Sequence, residues 1–247
     1  FTGAGFLRDA SHGNIFNVRA TYAAETEAWM QYLVDDQGMN NIAILYQDDG
    51  FGRVGLAGVE AALDRRNMKL TASGTYTRNT LEVQDAYQTI RAANPQAVVM
   101  VGAYAPIAEF IKTARADNFS PTFVNISFVG SMSLLRELGP EGEGVIISQV
   151  VPFPLNGALP AVAQYQAALL QQGMTSDFGF VSLEGYFVGR LAIEALRNAG
   201  PNLTREKYLE SLNQLRTVDL GGVALVFGDG DNQGSDEVFL SRITADG

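Results

Sequence analysis

The spacing of three glycines between residues 50 and 55 is the first feature that could carry chemistry. The run GFGRVG fits G-x-G-x-x-G, with which dinucleotide-binding proteins hold a pyrophosphate at a helix N-terminus. Asp48 and Asp49 precede it directly, and two carboxylates would repel a pyrophosphate. The next predicted strand, over 70–76, also ends without the acidic residue that binds a ribose. The pattern therefore favours a tight turn with close helix–sheet packing and no cofactor, and an NAD(P)-dependent oxidoreductase is the minor alternative.

Other residue types that support catalysis or metal binding are scarce. The chain has no cysteine and one histidine, His12, which excludes thiol chemistry, cysteine-ligated zinc and multi-histidine metal sites. Residues 229–234 (DGDNQG) begin like a calcium loop, but the twelfth position holds Leu240 instead of glutamate. We therefore predict a hairpin turn there, no metal site and no enzymatic activity.

Candidate ligand-binding residues follow the ends of three predicted strands. Phe51, Tyr104 and Ser127 each come directly after such a strand or within its following turn. Ligands of parallel sheets bind beyond the carboxyl ends of the strands, so the three side chains are predicted to share one rim. Glu184 lies in the apolar start of a helix, where it either complements the helix dipole or faces a ligand.

The elements that position these residues alternate between strand and helix. Strands are predicted over 42–46, 70–76, 97–101, 122–125 and 144–150, with the first four adjacent in chain order, and helices over 25–33, 55–66, 83–93, 106–117 and 132–138. Nearly continuous apolar strands are typical of a parallel sheet covered on both faces. After the proline-rich segment 151–160, helices over 161–172, 181–198 and 204–214 have few strands to cover them, so we expect their sheet to be thin or partly absent.

The bulk composition limits the class of partner. The 247 residues carry a net charge of −10, which argues against binding nucleic acid or an anionic membrane surface. No apolar run reaches the length of a membrane span. A small-molecule ligand fits these limits.

Four stretches, in order along the chain, resemble the leucine/isoleucine/valine-type substrate-binding proteins of ABC importers. They are residues 17–34 (NVRATYAAETEAWMQYLV), 42–63 (IAILYQDDGFGRVGLAGVEAAL), 97–115 (AVVMVGAYAPIAEFIKTAR) and 180–200 (FVSLEGYFVGRLAIEALRNAG). The resemblance implies a two-lobed α/β protein of the periplasmic-binding-protein type I fold, with parallel sheets flanked by helices. It further implies a periplasmic monomer that holds a small ligand in an interlobe cleft and delivers it to an ABC permease. A sensory domain built on the same fold is a further alternative.

The resemblance also divides the chain into lobes. Residues 17–150 and 236–247 are expected to form a complete lobe, and residues 1–16 and 151–235 a partial one. Such proteins have several strand–helix units before the first crossover, so the resemblance predicts that the front of the partial lobe is missing.

Site residues follow from the resemblance position by position. Tyr104 matches the pocket tyrosine that follows a strand, and Phe51 stands where these binders carry an aromatic residue. Thr2 and Gly3 match the loop whose hydroxyl and backbone meet the ligand carboxylate.

One position departs from the pattern of the resembled proteins. Ser127 stands where they carry a glutamate that pairs with the ligand ammonium, and a hydroxyl can accept from an ammonium but cannot neutralise it. Either Glu184 or a missing acid supplies the charge, or the ligand has no ammonium. A branched-chain aliphatic amino acid is therefore the first expectation, and an aromatic or other small organic acid the alternative.

Overall fold

A computed structural model describes residues 2–9, 11–174, 178–228 and 230–245. The chain forms two compact units. Unit 1 comprises Phe1–Thr21 and Val150–Glu237, and unit 2 comprises Tyr22–Gln149 and Val238–Gly247. The lobe limits given above stay a prediction.

The elements alternate along the chain much as the sequence predicts. The strands are β1 (Ile42–Gln47), β2 (Ala72–Tyr76), β3 (Ala97–Val101), β4 (Thr122–Asn125), β5 (Ile146–Gln149), β6 (Thr217–Asp219), β7 (Ala224–Val226) and β8 (Phe239–Arg242). The helices are α1 (Tyr22–Met30), α2 (Gly50–Asp64), α3 (Gln84–Ala93), α4 (Tyr104–Ala116), α5 (Ser131–Leu138), α6 (Pro160–Gln171), α7 (Phe180–Ala199) and α8 (Arg205–Gln214). A π-helical segment, Gln31–Asp36, continues α1. None of the described helices is long and apolar enough to cross a membrane.

Unit 2 is built on a six-stranded sheet of order β2-β1-β3-β4-β5-β8. The first five strands are parallel, as predicted, and β8 pairs with β5 in the antiparallel sense. The predicted order of the first four strands is wrong, because β1 lies between β2 and β3. The wholly buried strand β3 and the mostly buried β1 are interior strands, whereas β2 exposes Ser73 and Thr75, as suits an edge strand.

Helices cover both faces of this sheet. Helices α1 and α2 close one face around Trp29, Ile44 and Val99, all of which are fully buried. Helices α3, α4 and α5 close the other around residues such as Phe110 and Phe123. Burying each side chain of this size contributes about 1.5–3 kcal/mol, so two packed layers hold the strand ends of unit 2 in fixed positions.

Unit 1 is dominated by helices α6, α7 and α8. Their buried side chains, among them Tyr165, Phe187 and Leu191, form one cluster with Leu225 and Phe227 near the hairpin β6–β7. Within the described residues of unit 1, this two-stranded sheet is the only sheet, which matches the expected thin sheet.

Candidate functional site

Three of the predicted site residues lie at one edge of the sheet of unit 2. Phe51 is the second residue of α2, after β1, and Tyr104 is the first residue of α4, after β3. Ser127 begins the 3-10 turn that follows β4. Since β1, β3 and β4 are neighbouring parallel strands, their carboxyl ends meet at this edge. We call Phe51, Tyr104, Ser127 and the adjacent Phe128 the rim.

The rim presents aromatic surface. The rings of Phe51 and Phe128 lie 4.7 Å apart between centroids, and Tyr22 packs edge-on against Phe51 at 5.3 Å. Phe128 and Tyr104 are exposed residues, at 54% and 42%. Such rings can cover the apolar part of a small solute, and a tyrosine adds a hydroxyl that can donate a hydrogen bond. Sequence reasoning missed Phe128, although its position directly after Ser127 was an available signal.

A buried hydrogen-bond network fixes the end of β3 just before Tyr104. The backbone amide of Ala103 donates to the Tyr76 hydroxyl at 3.1 Å, and that hydroxyl donates to Gln47 at 3.2 Å. A methyl group on Gly102 would lie 2.4 Å from the Tyr76 oxygen, so this close approach requires glycine. Burial raises the pKa of Tyr76 to about 12, and the hydroxyl therefore stays protonated.

The carboxylate of Asp49 occupies the N-terminus of α2. It accepts hydrogen bonds from the amides of Phe51 at 2.9 Å and Gly52 at 3.1 Å. Burial acts to raise the pKa of Asp49, but these amides and the side chain of Gln47 together hold that pKa below its ordinary value. In a dinucleotide site such amides face the pyrophosphate. Here the carboxylate of Asp49 accepts from these amides in place of a pyrophosphate.

Two of the three glycines in residues 50–55, Gly52 and Gly55, serve packing. A methyl group on Gly52 would lie 1.8 Å from the carbonyl oxygen of Gln47, and one on Gly55 would lie 2.6 Å from Val101. The motif therefore brings α2 close to β1 and β3, as the sequence favours, and the dinucleotide interpretation has no support in the geometry.

A buried carboxylate holds Ser127. The backbone amide and the hydroxyl of Ser127 each donate to Glu25, both at 2.9 Å, and the Ser148 hydroxyl donates to the same carboxylate. Glu25 lies in the first turn of α1 and is fully buried. Sequence reasoning missed Glu25, because one acid in an ordinary helix carries no local signal of a contact 102 residues away.

Glu184 lies in unit 1, on the buried side of α7. Its carboxylate is 3.7 Å from the guanidinium of Arg19, and the two side chains are only 8% and 5% exposed. The ion pair offsets the cost of burying the two charges, so the charge of Glu184 is compensated within unit 1.

Thr2 and Gly3 lie in the first loop of unit 1. The Thr2 hydroxyl accepts a hydrogen bond from the amide of Ala4 at 3.3 Å, and Gly3 is buried. Arg8 connects this loop to Arg19, because its guanidinium donates to the carbonyl oxygens of Ala4 at 2.8 Å and Arg19 at 3.0 Å. The loop and Glu184 are thus linked through two arginines.

The predicted hairpin over 229–234 is described only in part, since Asp229 lies outside the described residues. The carboxylate of Asp231 accepts a hydrogen bond from the amide of Gln233 at 2.9 Å, the local bond of an Asx turn. The described residues contain no group of three acids or histidines arranged to hold a metal ion.

Comparison with known proteins gives a consistent result over the whole chain. Residues 1–247 match the model of a family described as periplasmic binding protein. No curated protein sequence matches the chain.

Solved structures of similar proteins come from several bacteria. A possible leucine/isoleucine/valine-binding protein from Rhodopirellula baltica SH 1 is 36% identical, with a TM-score of 0.91 over 100% of this chain and 68% of that one. A substrate-binding periplasmic protein from Ralstonia solanacearum is 28% identical, with a TM-score of 0.91 over 100% and 70%. An extracellular ligand-binding receptor from Verminephrobacter eiseniae ef01-2 is 27% identical, with a TM-score of 0.84 over 95% and 67%. The chain thus spans about two thirds of their length.

Proposed function

The chain belongs to the periplasmic binding protein family of non-enzymatic, extracytoplasmic solute-binding proteins, and on this premise we propose that it captures a branched-chain aliphatic amino acid for an ABC permease. The relative from Rhodopirellula, at 36% identity, is described as a possible leucine/isoleucine/valine-binding protein, which supports this ligand class. The proposal makes the protein a carrier that binds its solute reversibly and leaves it chemically unchanged.

The observation that carries the proposal is the pairing of apolar and polar groups at the rim. The exposed rings of Tyr104 and Phe128 offer contact area for an aliphatic side chain. The Tyr104 hydroxyl can donate to a carboxylate, and the Ser127 hydroxyl lies at the neighbouring strand end. These are the two kinds of contact that an amino acid with an apolar side chain requires.

Unit 1 carries further candidate residues, which rest on the resemblance alone. Thr2 and Gly3 would offer a hydroxyl and a backbone amide to a ligand carboxylate. Glu184 would contribute to binding an ammonium only in competition with Arg19, since the two already form an ion pair. We therefore assign Glu184 a smaller contribution to ligand binding than the residues of the rim.

An aromatic or other small organic acid is the second candidate ligand. The observation that favours it is the tilted pair of Phe51 and Phe128, at 4.7 Å, beside which a planar ring could stack. This candidate keeps the function of solute binding and changes only the class of solute.

A thermal-shift panel tests the proposal. Leucine, isoleucine, valine, phenylalanine, 4-hydroxybenzoate and NADPH would each be added to the protein. A true ligand at about 100 times its dissociation constant stabilises the folded state by about 2.7 kcal/mol, so we expect an aliphatic amino acid to raise the melting temperature by several degrees. A response confined to 4-hydroxybenzoate would favour the second candidate. A response to NADPH alone would contradict both.

A further inference from the structure

We infer that Tyr76 and Gln47 are positioning residues for ligand binding, because they link the starts of the two helices that carry Phe51 and Tyr104 through one chain of hydrogen bonds. The inference rests on the proposed function and adds two buried residues to those on which the affinity for the solute depends. Both residues lie in unit 2 and face each other in the register of neighbouring strands, Gln47 at the end of β1 and Tyr76 at the end of β2.

The chain of hydrogen bonds runs from the end of β3 to the start of α2. The backbone amide of Ala103 donates to the Tyr76 hydroxyl at 3.1 Å, and this hydroxyl donates to the side-chain carbonyl of Gln47 at 3.2 Å. The side-chain amide of Gln47 donates in turn to Asp49, whose carboxylate accepts from the backbone amide of Phe51 at 2.9 Å. We call this continuous series of bonds the relay.

An ionised carboxylate fixes the direction of the bonds in the relay. Asp49, whose pKa lies below its ordinary value, can only accept at neutral pH, so the NH2 group of Gln47 must face it. The carbonyl oxygen of Gln47 then faces Tyr76 and requires a donor, which commits the single hydroxyl hydrogen of Tyr76. The lone pairs of that hydroxyl remain, and they accept from Ala103.

Burial makes each bond of the relay costly to break. Tyr76 is 2% exposed and Gln47 is 7% exposed, so water has little access to replace a lost partner. A buried polar group that loses its partner is destabilised more than one that water can solvate. The starts of α2 and α4 are therefore held in a fixed relation.

The two ends of the relay are the positions at which these helices begin. Asp49 is the N-cap of α2, and Phe51 is the second residue of that helix. Ala103 is the N-cap of α4, and Tyr104 is its first residue. The relay thus sets where both rings stand before a solute arrives. A preorganised site binds more tightly, because fewer groups have to be ordered on binding.

Calorimetric titration of Tyr76→Phe tests the inference. The substitution removes the hydroxyl and keeps the ring, so it breaks the relay without removing apolar contact area. The probe is leucine, or 4-hydroxybenzoate if only that compound raises the melting temperature of the parent protein. We expect the variant to bind the probe about fivefold more weakly than the parent, which is the effect of about one hydrogen bond.

Tyr87→Phe is the matched control for a purely structural effect. Tyr87 is likewise buried in unit 2, and its hydroxyl donates at 2.6 Å to Asp117, the C-cap of α4 and thus at the opposite end of that helix from Tyr104. Losing this bond should lower the melting temperature and leave the affinity unchanged. An equal loss of affinity in both tyrosine variants would overturn the inference.

A second measurement needs no solute. Gln47→Met keeps the length of the side chain and removes both of its hydrogen bonds. Amide exchange in the free variant should become faster at both ends of the relay, in residues 50–53 and 103–106, whereas Tyr87→Phe should change neither segment. Faster exchange at one end alone, or at neither, would mean that the two helix starts are held independently and would overturn the inference. Should Gln47→Met not fold, the calorimetric comparison decides alone.

The outcomes separate this inference from the proposed function. If the parent and Tyr76→Phe bind the probe equally tightly, solute binding stands and the inference is wrong. If no solute of the thermal-shift panel binds to the parent, the proposed function fails and the inference fails with it.

Discussion

Replacing Gly52 with alanine should destabilise unit 2, because no space exists for the added methyl group. That group would lie 1.8 Å from the carbonyl oxygen and 2.8 Å from the carbonyl carbon of Gln47. The obstacle is the backbone of β1, which cannot turn aside as a side chain could. The first turn of α2 would have to move away by roughly 1.5 Å to restore van der Waals contact.

The size of the effect follows from three contributions. Overpacking against backbone costs about 3 kcal/mol, the upper part of its usual range. Moving the first turn also disturbs the bonds from Phe51 and Gly52 to Asp49, and losing such a cap costs about 1 kcal/mol. The higher helix propensity of alanine offsets about 1 kcal/mol of this loss. The net loss of unfolding free energy is about 3 kcal/mol.

The single tryptophan provides the assay. Trp29 is fully buried in unit 2, on α1, so its fluorescence during urea unfolding reports on this unit. With a slope of about 2 kcal/mol per molar urea, the midpoint should fall by about 1.5 M. Gly50→Ala is the matched control, since its methyl group would meet nothing within 4 Å, and it should unfold like the parent or slightly later. Equal midpoints for the two variants would refute the packing role of Gly52.

Three further predictions concern ligand affinity and the dependence of stability on pH. Tyr104→Phe should weaken binding of the true ligand by about 1 kcal/mol, and Tyr104→Ala by about 2–3 kcal/mol, in calorimetric titrations. The melting temperature should change little in both variants, since Tyr104 is 42% exposed. Unchanged affinity in the alanine variant would contradict the prediction. The pKa of Asp49 is lowered in the folded protein, so its stabilising effect is complete above the ordinary aspartate pKa of about 3.9 and is lost as pH falls through the lower folded value. Between about pH 5 and about pH 2, the urea midpoint of Asp49→Asn should therefore decline less than that of the parent protein. The pKa of Tyr76, raised to about 12, means that its stabilisation is complete below the ordinary tyrosine pKa and lost as pH rises toward the folded value. Tyr76→Phe should lack that alkaline decline, and an identical decline in parent and variant would count against the buried network.

Most of the secondary structure could be predicted because its signals are local. Strands β3 and β4 begin and end where the sequence predicts. Strand β3 is an apolar run between Gln96 and Gly102, and β4 begins directly after Pro121. Strand β6 was missed, because three residues are too few to show a period. The predicted strand order was wrong because the position of a strand in the sheet depends on the direction in which the connecting helix crosses it. The residues of a single strand carry no signal of that direction.

The candidate site shows the same division between local and long-range information. The positions of Phe51, Tyr104 and Ser127 at one edge followed from the rule for the ends of parallel strands, and their contact with ligand stays a prediction. The hydrogen bonds of Ser127 to Glu25 join residues far apart in the chain, and the ion pair of Arg19 with Glu184 does the same. Neither contact has a signature in spacing or composition.

Amide hydrogen exchange with and without saturating leucine tests the central claim most directly, because it shows whether a small solute binds and where. The account predicts slower exchange in residues 50–53, 103–106 and 126–129, which form the rim and its supporting turns, and no change in the edge strand 72–76. Protection confined to other parts of unit 2, while the rim segments exchange as fast as in the free protein, would contradict it.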